Sequence, residues 1–340
     1  MSDIITFGEI MLRLSPPNHQ RVIQASSFNA TYGGAEANVA TSLAQFGLET
    51  DYVTKLPKNF LGDAAFNELR RYGVGVSSIV RGGDRLGIYF AERGASQRGS
   101  TVLYDRDGSA FQQSAAGNWN WEKIFAGARW FHFTGITPAL GNNVAQACLD
   151  ACTTARRMGL TVSCDLNFRS KLWSQEQARQ TMTELCHYVD VCIANEEDAY
   201  SVFGIQTDQN ALLSGNLDLD AYKQTAKKLH ERFGFRKVAI TLRRSFSASD
   251  NNWSALLLDE EGIYHSREYS IHIVDRIGGG DAFGAGLLYG LLMGMRGRDA
   301  LEFGVAAGCL KQTIDGDFNL STVAEIQKLA HGDASGRVQR

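Results

Sequence analysis

From about residue 120 onward, short apolar runs alternate with helical stretches. "RWFHFTG" leads into "NNVAQACLDACTTARRMG", and "TVSCDLNF" into "SQEQARQTMTELCHYV". "DVCIAN" precedes "EEDAYSVFG", and after a longer insertion "LDAYKQTAKKLHERFG" precedes the strand "KVAIT". Strands that alternate with helices pair in parallel and carry helices on both faces of an open sheet. Ligands of such sheets bind beyond the carboxyl ends of the strands. Two segments break the rhythm, "IMLRLSPPNHQRVIQASSFNATY" and "LGIYFAERGASQRGSTVLYDRDGSAFQQ". Both read as paired strands with polar faces. They are expected to form either a small sheet over the mouth of the main one, a lid formed by about 12–32 and 86–113, or ordinary edge hairpins.

The 340 residues, 44% hydrophobic, suffice for a large core, and with four prolines and no low-complexity tract they read as a single domain over 1–340. A net charge of −3 gives no electrostatic footprint for nucleic acid or a membrane surface. The six cysteines form no CxxC pair and are expected to be structural thiols of a reducing compartment. "MSDIITFGE" reads as a strand rather than a signal peptide, and "GAGLLYGLLMGM" is too short and too rich in glycine to span a bilayer. The expectation is a cytoplasmic protein.

"VDRIGGGDAFGAG" places Gly278, Gly279 and Gly280 before a helix, with Asp281 directly after them. A glycine-led helix start offers unpaired N–H groups and the positive end of the helix dipole, which suits phosphate. A carboxylate beside bound phosphate repels it unless it takes a proton from an attacking hydroxyl. Taken alone, the same string also fits a tight turn with Asp281 as an N-cap. No P-loop string occurs, and a dinucleotide fingerprint belongs in the first strand–helix turn, not near residue 280. A second glycine-led start, "YGGAEANVATSLAQFG", lies about 240 residues earlier and carries Asn38 in its first turns.

The two together resemble the paired signatures of the ribokinase/PfkB sugar kinases, with Asp275, Gly278, Gly280 and Asp281 matching the C-terminal one. The resemblance covers nearly the whole chain. It implies a ribokinase-like, doubly wound, mostly parallel α/β sheet with a small β lid, and transfer of a phosphoryl group from ATP, with Mg2+, to a sugar hydroxyl. By the same match Asp281 is the general base and the amides of Gly278, Gly279 and Gly280 an anion hole. The family's Asn-x-x-Glu element, tied to hydrated magnesium, corresponds to Asn195 and Asp198 in "NEEDAY", with Glu197 as a substitute. On the nucleotide side "TLRRSFSASDN" lacks the glycines the family places in a loop there, leaving Thr241, Arg243 and Ser247 as candidates. "GVAAGCLKQTIDGD" adds Ala307, Gly308 and Lys311, although a plain packed helix explains these residues as well. Arg276 stands where the usual motif has Thr. A monovalent cation is a further candidate, with Asp275 as its neighbour, and a homo-oligomer is expected.

Arg13 stands where many members hold an acidic residue against a neutral sugar, which suits an acidic substrate. Tyr89, Tyr104, Arg106 and Arg169 add hydroxyls and guanidinium forks to lid or strand-end positions, and arginine recognises carboxylate in a planar, bidentate way. With Gly34 and Asn38, this set resembles the subgroup that phosphorylates 2-keto-3-deoxygluconate at its C6 hydroxyl. A kinase of a neutral ketose or a related sugar acid is the alternative within enzymes. A sugar-acid sensor is the alternative outside them.

Overall fold

The computed structural model describes residues 2–195, 197–205, 219–333 and 336. Its centre is a nine-stranded sheet. Six strands run in parallel across it: Thr50–Val53, Ile4–Phe7, Trp130–Thr134, Thr161–Asp165, Val191–Ala194 and Lys237–Ser245. Asp250–Asp259 continues it antiparallel, followed by Gly262–His265 and Tyr269–His272. Every residue of Ile4–Phe7, Trp130–Thr134 and Val191–Ala194 is buried, as strands covered on both faces must be.

The two-residue period of a strand divides the core in two. Ile5, Phe7, Phe131, Phe133, Cys192, Val238 and Ile240 face helices Asn142–Arg157, Gln175–Cys186 and Leu219–Phe233. Ile4, Trp130, Val191, Ile193 and Ala239 face helices Ala35–Gln45, Gly279–Leu292, Gly297–Lys311 and Val323–Ala330. Cys148 and Cys152 are buried one turn apart on helix Asn142–Arg157, and all six cysteines are free and buried. Helices Gly279–Leu292 and Gly297–Lys311 approach closely because two glycines meet. A Cβ on Gly286 would lie 2.8 Å from the Cα of Gly304.

The two irregular segments form one further sheet. Asn29–Gly33 pairs antiparallel with Met11–Ser15, and Ile88–Glu92 antiparallel with Thr101–Asp105. Met11–Ser15 runs parallel to Ile88–Glu92 and so joins the two hairpins into four strands. One expectation is corrected. "TLRRSFSASDN" is not a loop throughout: Thr241–Ser245 continues the strand Lys237–Ser245 and pairs through Ser245 with Asn251, which leaves only 246–249 as a hairpin turn. Among the described residues no helix is long and apolar enough to cross a membrane.

Candidate active site

The carboxyl ends of the parallel strands open into a cavity of about 400 Å3, roofed by the four-stranded sheet. Glu9 follows the first strand, Asp165 ends another, Asn195 follows the next, and Thr241 stands just past the last parallel pair of strand Lys237–Ser245. Met11, Tyr89, Val102 and Tyr104 come from the small sheet. Asn167, just past its strand, holds a φ of 39°, a left-handed conformation that asparagine tolerates better than most residues. Its amide donates to Asp165 Oδ1 at 3.0 Å, which fixes the turn at the cavity edge.

Both glycine-led helices start here. Helices Phe60–Arg71, Gln175–Cys186 and Val323–Ala330 close their N-termini with Asn59, Ser174 and Thr322 side chains. Helices Ala35–Gln45 and Gly279–Leu292 have no side-chain cap, so their first amides stay open to the cavity. Gly278 is the N-cap, with φ of 85°, and a Cβ on it would lie 2.1 Å from the Asp317 carbonyl oxygen. Gly279 and Gly280 lie inside the helix rather than before it, and Asp281 is its third residue, so Asp281 is not the N-cap. The amide of Gly279 donates to Arg276 O at 3.3 Å. Those of Gly280 and Asp281 stand in the first turn, where no helical carbonyl lies behind them.

Asp281 is half-buried on the cavity floor. Burial pushes its carboxyl up to about 6, against the opposing effect of the Asn38 amide, which donates to Asp281 Oδ2 at 2.6 Å. Asn38 is itself oriented by Gly34, whose N–H donates to Asn38 Oδ1 at 3.3 Å. Gly34 must be glycine, since a Cβ there would lie 2.0 Å from the Glu9 carbonyl oxygen. Behind it Glu36 is buried and pushed up to about 7 by that burial, even though Thr134 and Thr137 donate to its Oε1.

Tyr89, Tyr104, Arg106 and Arg169 all line the cavity. Arg106 is buried, its guanidinium 4.8 Å over the Tyr104 ring and 3.3 Å from Glu9 Oε2. Arg169 is exposed at the rim, with Nη1 donating to Phe168 O. The Tyr89 hydroxyl donates to Asp317 Oδ2. Arg13 does not reach the cavity. It is 1% exposed, with Nη1 2.6 Å from Asp317 Oδ1 and Nη2 2.6 Å from Asp275 Oδ2. Burial opposes its charge, but Asp317 and Asp275 outweigh burial and hold it protonated. The expectation that Arg13 receives an acidic substrate is therefore withdrawn.

On the other side of the cavity, Asn195, Thr241 and Arg243 line the wall with Trp253 and Arg276. The indole N–H of Trp253 and Nε of Arg276 are buried without a protein partner, as donors awaiting a ligand would be. Ser247, Ala307, Gly308 and Lys311 lie off the cavity. Ser247 Oγ accepts from the amides of Ser249 and Asp250 in the hairpin turn. Ala307 packs at the glycine crossing, and a Cβ on Gly308 would meet Trp253 and the Gly279 carbonyl. Asp198 is buried, its carboxylate accepting from the amides of Phe168 and Asn195, and Glu196 lies outside the described residues. Asp165 is pushed well above the usual carboxylate range by burial, then by Asp198 and Asp281. No cluster of three side chains that could hold a metal directly occurs among the described residues. Buried carboxylates that raise one another, with no direct ligand set among the described residues, fit a hydrated cation that carries its own waters.

The sequence matches the family described as pfkB family carbohydrate kinase over residues 1–319. The chain belongs to this pfkB family. It is 33% identical over 337 residues to a 2-dehydro-3-deoxygalactonokinase of Haloferax volcanii, covering 98% of each chain. It is 28% identical to a Bacillus subtilis 2-dehydro-3-deoxygluconokinase, over 93% of this chain and 91% of the other. The crystal structure of the 2-dehydro-3-deoxygluconokinase from Thermotoga maritima superposes with a TM-score of 0.93 at 51% identity, over 97% of this chain and 98% of that one.

In this pfkB kinase several cavity residues carry signals that the motifs alone do not expose. Glu9 and Asp165 stand at carboxyl ends of parallel strands, a position that can be read from "ITFGE" and "TVSCD". Asp317 lies in a turn after helix Gly297–Lys311, and no periodicity or motif marks it.

Proposed function

We propose that this pfkB kinase transfers the terminal phosphoryl group of ATP to the C6 hydroxyl of 2-keto-3-deoxygluconate, giving ADP and 2-keto-3-deoxy-6-phosphogluconate. The observation that carries the reading is Asp281, half-buried at an uncapped helix start and held 2.6 Å from Asn38. Its carboxylate accepts the proton of the C6 hydroxyl as that oxygen attacks the γ-phosphorus, and the bond to the β,γ-bridging oxygen breaks in line. The open amides of Gly280 and Asp281 and the positive end of helix Gly279–Leu292 take up charge on the moving group. Arg243 and Arg276 line the side on which the polyphosphate lies. Mg2+ neutralises phosphate charge when bound, and Asp165 and Asn195 are the side chains that would face its waters.

Arg106, Tyr89, Tyr104 and Arg169 favour a substrate that carries a carboxylate over a neutral ketose. Likeness at 51% identity to a 2-dehydro-3-deoxygluconokinase supports the same choice. The epimeric galactonate-derived acid is the second reading, favoured by the Haloferax relative. ADP release from ATP and Mg2+ with each acid and with fructose, beside Asp281→Asn, tests the proposal. Turnover on a keto-deoxy acid that is lost in the variant is the expected result. Turnover on fructose alone would sink the carboxylate reading and leave phosphoryl transfer standing.

A further inference from the structure

Lys311 is 0% exposed, and lysine is almost never fully buried without a reason. It is the last residue of helix Gly297–Lys311, where the helix dipole favours a cation. Its Nζ donates to two backbone carbonyls, Asp275 O and Ile314 O, each at 3.2 Å. Carbonyl oxygens gathered from separate turns are the surroundings that a weakly hydrated monovalent cation receives when protein replaces its water.

The place of this ammonium group matters more than its burial. The amides of Val274 and Asp275 donate to Gln312 O at 2.9 and 3.2 Å, so the chain leading into the glycine loop lies along the segment after Lys311. Asp275 Oδ2 accepts from the Gly316 amide at 3.3 Å. A Cβ on Gly278 would touch both the Asp317 carbonyl and Cε of Lys311. Lys311 thus sits in the seam between the 275–278 loop and the 314–317 turn, against Gly278, the N-cap of the helix whose first turn carries the amides of Gly280 and Asp281. Its charge is also among those that lower the Asp281 carboxyl against burial.

We propose that Lys311 is a positioning residue whose ammonium group acts as a tethered monovalent cation, locking the glycine loop in its phosphoryl-transfer geometry and making the enzyme independent of added K+. The catalytic part of this rests on the phosphoryl-transfer reading above; the structural part does not.

The test compares wild type, Lys311→Ala and Lys311→Met in KCl, NH4Cl and tetramethylammonium chloride at constant ionic strength, by ADP release and by melting temperature. Wild type is expected to give the same rate in all three salts and no cation-specific rise in melting temperature. Lys311→Ala is expected to lose on the order of 10²-fold in tetramethylammonium, as a displaced loop would. Added NH4+ or K+ should restore its rate saturably and raise its melting temperature. Lys311→Met fills the space with an uncharged side chain, so neither cation should rescue it. In both variants the rising limb of the pH–rate profile should move to higher pH, and in Lys311→Ala NH4+ should move it back. A wild-type rate stimulated manyfold by K+ overturns the proposal, whether or not Lys311→Ala folds. So does a folded Lys311→Ala that keeps its rate in tetramethylammonium, or one that no cation restores. If wild type turns over no sugar acid, the kinase reading fails separately, and the melting temperatures still decide the role of the lysine.

Discussion

Asp281 is a carboxylate whose basicity is set by its surroundings. Burial raises it to about 6, and the Asn38 amide holds it below what burial alone would give. A base of this kind works when deprotonated. We therefore expect kcat/KM to rise with pH and level off above about 6, falling roughly tenfold per pH unit on the acid side. Asn38→Ala removes the donor that favours the ionised form, so the rising limb should shift to higher pH, as a profile of kcat/KM would register. Asp281→Asn should lower kcat by about 10²–10⁴-fold with an unchanged melting temperature. Arg169→Ala should raise KM for a keto-deoxy acid more than it lowers kcat, because the side chain is exposed at the cavity rim, where it meets substrate rather than the moving phosphoryl group. At this scale the sequence was informative where glycines and an acid stood in one string. It misled at Arg13, because no local pattern could show that two carboxylates at positions 275 and 317 converge on it.

The helices that aim these residues depend on small side chains. Gly286 and Gly304 let helix Gly279–Leu292 lie against helix Gly297–Lys311, and no larger residue fits between them. Gly286→Val should cost about 1–3 kcal/mol by overpacking, measured as a lower urea midpoint at unchanged m-value. Because the same helix carries Asp281, the surviving folded enzyme should also be slow. From about residue 120 onward the alternation of strands and helices was legible from pattern, since those parallel strands are short apolar runs between amphipathic helices, whereas Thr50–Val53, with Thr50 and Asp51, gave no such signal. The reading failed over the first half of "TLRRSFSASDN", where the family resemblance implied a loop. Arg243 and Arg244 belong to a strand end that extends past the sheet's core, where the faces are no longer covered and polar residues are tolerated. Ala307 and Gly308 illustrate the opposite ambiguity. Small residues on a helix serve close packing as readily as ligand approach, and here they pack.

Across the whole molecule, a buried charge cluster joins the small sheet to the glycine loop and to the turn after helix Gly297–Lys311. Arg13 leaves the small sheet to meet Asp275 and Asp317, and Tyr89 of the same sheet donates to Asp317. Arg13→Met leaves both carboxylates buried without their counter-ion and should destabilise the fold by about 3–5 kcal/mol in urea unfolding. The arrangement also bears on inheritance. The partners in this cluster lie 262 and 304 positions apart in the chain. A chimera that took its small sheet from a relative with an acidic residue at position 13 would bring a third carboxylate against two already present. Exchange of that module between lineages, by recombination or at the bench, would succeed only as a three-segment transplant. Substrate specificity in a scaffold of this kind is then freest to drift at cavity-lining positions outside the cluster, such as 104 and 169, while residues 13 and 89 stay bound to their distant partners.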